Sequence, residues 1–445
     1  MSPISLIIVT IFLVGYALIA LEGITRINKA AVALLMFVFT WTVFMFEPES
    51  YINIHNPEDL VLTINALVER HLGSTATTLF FLMGAMAIVE VVDRNGGFNF
   101  VTNMMRTKSK RSLLWRVAFM TFFLSAILDN LTTSIVMVML LRKLVKSAKD
   151  RVKYAALIIV AANSGGAFSP IGDVTTIMLW NGGMITAGGV IKELLVPSLV
   201  SMLVPAFMLM TQLKGELEAP EINKGDEVNE LNALQRKVVF LLGVGGLIFV
   251  PIFHNLTNLP PFMGILLALG SLWLITEIFY GTGHLAKREN VRNRLSRLLS
   301  KVDMSTILFF LGILMAVGCL EEIGVLHLLG VWLNDISGGN HYLVTGIIGV
   351  LSSIVDNVPL VAGCMGMYPI EAMGDMAVDG VFWQLLAYCA GVGGSMLIVG
   401  SAAGVVVMGL EKISFGNYVK HMTLFSLVGY LSGMFCYYLI RTFIF

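Results

Sequence analysis

Charge is scarce in this sequence. Only 13% of its 445 residues are Asp, Glu, Lys or Arg, where soluble domains carry roughly 25%. No stretch therefore offers the mixed polar surface of a water-soluble domain. Cysteine is sparse too: Cys319, Cys364, Cys389 and Cys436 lie in apolar runs without CxxC spacing, which argues against a disulfide framework or a thiolate metal centre. The seven His show no ligand spacing. No Gly-Lys pair occurs, so a GxxxxGK[ST] phosphate loop cannot be built and no nucleotide is expected. Gly391-Val-Gly393-Gly394 lies inside an apolar run, not at a strand-to-helix turn, and is no dinucleotide fingerprint. A basic excess is missing as well, because 29 Lys and Arg balance 29 Asp and Glu, which argues against nucleic acid as a partner. Neither an enzyme nor a cofactor is indicated.

What the chain has is apolar length. Hydrophobic residues make up 57% of it, and about 20 mostly apolar residues cross a bilayer as a helix. Full spans are predicted near 3–21, 30–46, 76–93, 154–185, 194–213, 238–255, 259–280, 303–320, 384–410 and 421–441. The expectation is an all-α, polytopic membrane protein with the lipid bilayer as its partner. The first residues, MSPISLIIVT, lack a basic segment and a small-residue cleavage site, and read as a span and not a signal peptide.

Lys and Arg collect in cytoplasmic loops. Placing 22–29, 94–116, 142–153, 214–237, 281–302 and 411–420 on that side puts 26 of the 29 basic residues there. Arg70, Lys192 and Arg441 remain opposite. Segment 112–145 is basic at both ends (Arg111, Arg116, then Arg142, Lys143, Lys146). A single crossing would break the asymmetry, so a re-entrant hairpin turning at Asp129-Asn130 is predicted. Segment 343–368 has only acids near it, Asp335, Glu371, Asp375 and Asp379, and reads as a hairpin opening to the outside.

One pattern occurs twice. Ser125-Ala-Ile-Leu-Asp129-Asn130 matches Ser352-Ser-Ile-Val-Asp356-Asn357 at an offset of 227 residues, and Gly165-Gly166 and Gly172 match Gly393-Gly394 and Gly400 at 228. Upstream, LFFLMG at 79–84 resembles LFFLGI at 308–313. Each half holds five spans and one hairpin; an odd number puts the halves in opposite orientations. The expected organisation is a first inverted repeat over 1–213 with hairpin 112–145 and broken helix 154–185. A cytoplasmic linker follows over 214–237, then a second repeat over 238–445 with hairpin 343–368 and broken helix 384–410. Inverted repeats with discontinuous helices are the architecture of secondary transporters, with the site near the midplane.

Gly165, Gly166, Pro170 and Gly172 are expected to end a helix at Ala162, leave 163–172 unwound and restart it at Asp173. Freed carbonyls at that depth must line a cavity or bind something. The break offers Asn163, Ser164, Ser169, Asp173, Thr175 and Thr176; its counterpart, expected over 391–401, offers Ser395 and Ser401. Asp129, Asp173 and Asp356 each precede a helix, so N-capping alone explains the residue type. Ser or Thr would cap equally well, without the roughly 2.5–3.5 kcal/mol cost of inserting an acid at mid-membrane. Asn130, Asn163 and Asn357 are either hydrogen-bond glue between helices or ligands. Thr175 and Thr176 either bond back to their own helix or bind ions. Glu90, Asp93, Glu321 and Glu322 lie at span ends and read as interfacial.

Carboxylates, amides, hydroxyls and free carbonyls form a hard-oxygen set suited to Na+ or Li+. A Na+ site is expected at Asp129, Asn130, Asn163 and Asp173. Carboxyl groups held away from water release protons less readily, so one site can hold H+ or Na+ in turn, and that competition gives exchange directly.

The strings Ile-Leu-Asp129-Asn130-Leu-Thr-Thr133, Ala162-Asn163-Ser-Gly-Gly-Ala-Phe-Ser-Pro-Ile-Gly-Asp173-Val-Thr175-Thr176 and Val-Asp356-Asn357-Val-Pro resemble those of NhaD-type sodium/proton antiporters of the ion-transporter superfamily. The likeness runs over about 75–440 and is weaker at the terminal spans. The resemblance implies electrogenic or pH-activated Na+(Li+)/H+ exchange in the bacterial inner membrane, in the service of pH homeostasis. It also implies a homodimer whose hairpin-bearing transport domain moves as an elevator against a scaffold. Ion-pathway roles follow for Asp129, Asn130, Asn163, Asp173, Thr175, Thr176, Ser352, Asn357 and Ser395. Thr133, Ser164, Asp356 and Ser401 complete the candidate set. The rival on the same fold is a sodium/dicarboxylate symporter or an arsenite permease. Dicarboxylate relatives carry Ser-Asn-Thr at the hairpin tips, whereas Asp-Asn here repels a dicarboxylate. A passive channel is disfavoured by paired, closed-ended hairpins.

Overall fold

The computed structural model describes residues 2–20, 25–51, 60–97, 104–213, 215–217, 231–281, 303–354, 356–398, 400–413 and 415–443. Most of the expected linker, and of the basic segment 281–302, lies outside them. Among the described residues, seven helices are long and apolar enough to cross a membrane. The first half comprises α1 (Pro3–Ala20), α2 (Lys29–Phe44), α3 (Leu60–Arg94), α4 (Lys110–Leu128), α5 (Asn130–Leu144), α6 (Ala148–Ala167), α7 (Val174–Asn181) and α8 (Ala187–Met210). The second comprises α9 (Ala233–Thr257), α10 (Pro261–Gly281), α11 (Met304–Glu322), α12 (Val325–Ser337), α13 (His341–Leu351), α14 (Asn357–Met367), α15 (Val381–Gly393) and α16 (Ala402–Glu411). α17 (Phe415–Tyr418) continues through a π-turn at Val419–Thr423 into α18 (Leu424–Phe443).

Helices α4 and α5 form the first hairpin, reversing at Asp129. Both of its ends meet one charged face. Lys110 pairs with Asp150 at 2.8 Å, while Arg142 and Arg151 bond Glu411 at 2.6 and 3.0 Å. Helices α13 and α14 form the second hairpin, whose ends both lie against Phe382 through His341 and Tyr368.

The paired glycines explain how each hairpin lies on its broken helix. A Cβ on Gly165 would stand 2.1 Å from the Phe122 carbonyl oxygen, and one on Gly393 would stand 2.1 Å from that of Gly349. Only glycine lets backbones approach so closely. Beside these contacts, Ser125 Oγ donates to the Ala162 carbonyl at 2.6 Å and Ser352 Oγ to that of Ala390 at 2.8 Å. The sequence repeat is thus a repeat of helix-to-helix contacts. Helices α8 and α18 run antiparallel: Glu193 meets Tyr437 and Arg441, and Gly429 abuts Ser201 and Pro205. Helix α2 lies along α11, with Trp41 Nε1 on the Met315 carbonyl at 2.8 Å and Gly312 against Ala33.

Three elements differ from expectation. Helix α3 has 35 residues and starts well before 76. Its early turns carry Glu69, Arg70 and His71, which mask the apolar signal; Arg70 and His71 pair with Glu322 of α11. Helix α8 begins at Ala187 and carries Pro197 and Pro205 internally. Helix α12, with 13 residues, is too short for a span and was not expected.

Candidate functional site

Helix α6 continues to Ala167, so Asn163 and Ser164 are helical and not unwound. Gly165 and Gly166 serve close packing there: Gly166 faces the Gly172 carbonyl, where a Cβ would stand at 2.5 Å. The helix ends just before Pro170, whose ring excludes the carbonyl four residues back. Likewise α15 persists to Gly393, later than the expected start at 391.

The restarted helices begin alike. Asp173 precedes α7 at φ −144°, ψ 149°, and Ser401 precedes α16 at φ −143°, ψ 151°. Each side chain caps its helix, Asp173 accepting from Thr175 N at 3.0 Å and Ser401 from Gly404 N at 3.2 Å. Thr176 completes a capping box with the Asp173 backbone.

The buried Asp173 carboxylate collects donors from both hairpins. Oδ1 also accepts from Thr175 Oγ1 at 3.0 Å, and Oδ2 from Asn130 Nδ2 at 2.7 Å. Asn357 Nδ2 stands 3.2 and 3.3 Å from its two oxygens. Asn130 also reaches Asn163 Oδ1 at 3.2 Å, and Asn163 Nδ2 donates to Ser401 Oγ at 3.0 Å. One network therefore links both hairpin tips to both helix breaks.

The other two acids differ from each other. Asp129 sits at φ 77°, a strained conformation for a non-glycine residue. Its carboxylate caps α5, accepting from Thr132 N at 2.7 Å and Thr132 Oγ1 at 2.8 Å. Asp356 occupies the same place before α14 but makes no side-chain cap bond. Instead its Oδ2 stands 3.8 Å from Lys29 Nζ at the start of α2. Lys29, Asp129, Asp173, Asp356, Thr132 and Thr306 share one cavity of about 40 Å³. One water needs roughly 10–15 Å³, so there is room for a few waters or one small ion. Among the described residues no three acidic, His or Cys side chains converge closely enough to hold a metal ion by themselves.

Other candidates lie apart from this cavity. Ser164 bonds Ser201 at 2.8 Å, Ser352 serves the hairpin contact, and Ser395 donates to the Val392 carbonyl at 2.6 Å. Thr133 is buried with an unpartnered hydroxyl, and Ser169 bonds the Ala126 carbonyl at 2.5 Å. Three polar residues outside the expected set line the cavity: Lys29, Thr132 and Thr306. Thr132 follows Asp129 at capping distance, a readable signal. Lys29 carried the signal only of a loop charge.

A family model described as a citrate transporter (CitMHS) matches residues 16–386. Sodium/proton antiporter 1 of Arabidopsis thaliana is 43% identical over 428 residues, covering 96% of this chain and 71% of its own length. Sodium/proton antiporter 2 of the same plant is 40% identical over 436 residues, covering 97% and 99%. The Na(+)/H(+) antiporter NhaD of Alkalimonas amylolytica is 31% identical over 441 residues, covering 92% and 85%. Among solved structures, the YdaH transporter of Alcanivorax borkumensis aligns with a TM-score of 0.59 at 13% identity, covering 92% of this chain and 98% of that one. That likeness speaks for the fold.

Proposed function

This chain belongs to the NhaD-type sodium/proton antiporter family and is a multi-pass membrane transporter, and we propose that it exchanges cytoplasmic Na+ or Li+ for external H+ at the cavity between the hairpin tips. The observation carrying this reading is the buried Asp173 carboxylate, held by Asn130 and Asn357 from the two hairpins. A group so placed senses both hairpins at once, and its charge is offset by a bound cation or a proton. Asp129, Asn130, Asn163, Asp173, Thr175 and Asn357 form the working set, with Asp129 and Asp173 alternating between H+ and Na+.

The citrate description of the family model gives a second reading, which the site disfavours. Helix N-termini are natural anion sites, but here Asp129, Asp173 and Ser401 already accept from the amides of α5, α7 and α16. At α5 and α7 the chain's own carboxylates stand where an anion's would bind. A cavity of about 40 Å³ also suits a small ion better than a tricarboxylate.

Residues 1–213 and 238–445 act as the two repeats, joined by the linker at 214–237. The hairpins and broken helices move as one body against α2, α3 and α11. A second cavity, of about 120 Å³, supports this direction of movement. It lies further along the same helices, at Thr75 and Thr78 of α3 and Leu314 and Val317 of α11, opposite Asn181 and Met365. The site would pass from the first cavity to the second. A homodimer in the bacterial inner membrane, contributing to pH homeostasis, follows from the family resemblance and is read out by cross-linking in native membranes. The exchange itself is tested in proteoliposomes with an imposed pH gradient, which added Na+ or Li+ should dissipate and citrate should not.

A further inference from the structure

We propose that Lys29 is a tethered cation that competes with the transported ion for Asp356 and so sets the apparent Na+ affinity of the site. The inference rests on the antiport reading above. Three observations carry it.

First, Lys29 belongs to the ion cavity. Its ammonium stands 3.8 Å from Asp356 Oδ2 and 4.4 Å from the centre of the Phe309 ring, and it lines the same space as Asp129 and Asp173. Second, Asp356 departs from its repeat counterpart. Asp129 turns its carboxylate onto the first turn of α5, whereas Asp356 leaves the first turn of α14 uncapped and faces Lys29. The second hairpin's acid is committed to an external charge and not to its own helix. Third, the pair joins two bodies. Lys29 opens α2, which is fixed along α11 by Trp41 and by the Gly312 contact, while Asp356 sits at the tip of a hairpin.

A separation of 3.8 Å is loose for an ion pair; charge-assisted N–H···O bonds run about 2.7–2.9 Å. A Lys ammonium is a compact charge on a flexible stem and gives way more readily than a bidentate Arg. With Lys29 seated, Asp356 is neutralised. A Na+ arriving beside Asp173 has the same sign as Lys29, so sodium and the ammonium exclude each other from Asp356. Arrival of the ion displaces the ammonium from Asp356, and the tie between α2 and the second hairpin is released when cargo is aboard.

The test uses the full-length protein in proteoliposomes, measuring the Na+ concentration for half-maximal gradient dissipation and the maximal rate separately. Removing one unit charge a few ångströms from the ion should lower the half-saturating concentration about three- to tenfold in Lys29→Met, while Lys29→Arg, which keeps the charge and holds a carboxylate more firmly, leaves it at or above the wild-type value. A purely structural role would reduce rate and yield without that selective gain in affinity. A folded Lys29→Met with unchanged or weaker Na+ affinity overturns the proposal. A second arm needs no variant: acetic anhydride labelling of the wild type, read by mass spectrometry with exposed Lys412 as reference. Na+ should at least double Lys29 labelling relative to choline and leave Lys412 unchanged; an unchanged or lowered Lys29 signal overturns the proposal. Absence of Na+-driven flux in the wild type removes the antiport reading itself and is seen before any variant is compared.

Discussion

Replacing Gly165 by Ala tests the contact on which the first hairpin rests. The added Cβ would stand 2.1 Å from the Phe122 carbonyl oxygen, with that residue's carbonyl carbon and Cα at 2.8 and 2.9 Å. All three neighbours are backbone, so no side chain can swing away. Helix α4 would have to retreat by about 1 Å, which also stretches the 2.6 Å bond from Ser125 to Ala162. Overpacking of this kind costs about 1–3 kcal/mol, which outweighs the gain of about 1 kcal/mol from replacing Gly by Ala in a helix. The repeat makes the prediction twofold, because Gly393→Ala meets the Gly349 carbonyl oxygen at the same 2.1 Å. Helical Gly188 and Gly245 have nothing within 4 Å of an added Cβ and serve as controls. Thermal unfolding of the purified protein should show both site variants below the wild type and both controls level with it or above. Exchange should fall in Gly165→Ala and Gly393→Ala, because the retreat displaces Asn130 or Asn357 from Asp173. A Gly165→Ala protein with unchanged unfolding temperature and unchanged exchange would refute the close contact and the positioning built on it.

Three further outcomes are expected. Asp129→Asn should fold normally, since Asn caps helices as well as Asp and has the same shape, yet lose Na+-driven flux; loss of fold along with flux would make capping the residue's whole purpose. Ser401→Ala removes the α16 cap, worth about 1 kcal/mol, and takes a partner from Asn163. It should lower the unfolding temperature slightly and weaken Na+ affinity, measured as half-saturation of flux. Glu411, buried between Arg142 and Arg151, should be sensitive to neutralisation: Glu411→Gln replaces one of the two accepting oxygens by an NH2 donor, leaves one of the two guanidinium groups without that acceptor and costs about 1–3 kcal/mol, read as a drop in unfolding temperature.

The parts of the fold written in local chemistry were legible in the sequence. Asp-Asn at both hairpin tips, flanked by basic residues in one copy and acids in the other, located two reversals without a single long-range contact. The paired glycines marked the breaks, but not their limits. Reading Gly165 and Gly166 as helix breakers placed Asn163 and Ser164 in unwound chain, whereas they remain helical because those glycines serve backbone approach. The length of α3 was hidden because Arg70 and His71 depress local hydropathy, and their partner Glu322 lies some 250 positions away. Lys29 was hidden for the same reason. Counted along the chain it is a cytoplasmic charge; in the fold it faces Asp356, 327 positions away. Ser352 and Ser395, read as ion-pathway residues, donate to the Ala390 and Val392 carbonyls, at the hairpin contact and at a helix end.

In the proposed exchange Asp173, gathered by both hairpins, carries the ion. Its most direct test is Asp173→Asn in proteoliposomes bearing a pH gradient, with folding verified by thermal unfolding. Asn keeps the shape and can still cap α7, so the predicted result is a folded protein in which neither Na+ nor Li+ dissipates the gradient. A folded Asp173→Asn protein that exchanges Na+ for H+ at the wild-type rate would contradict it.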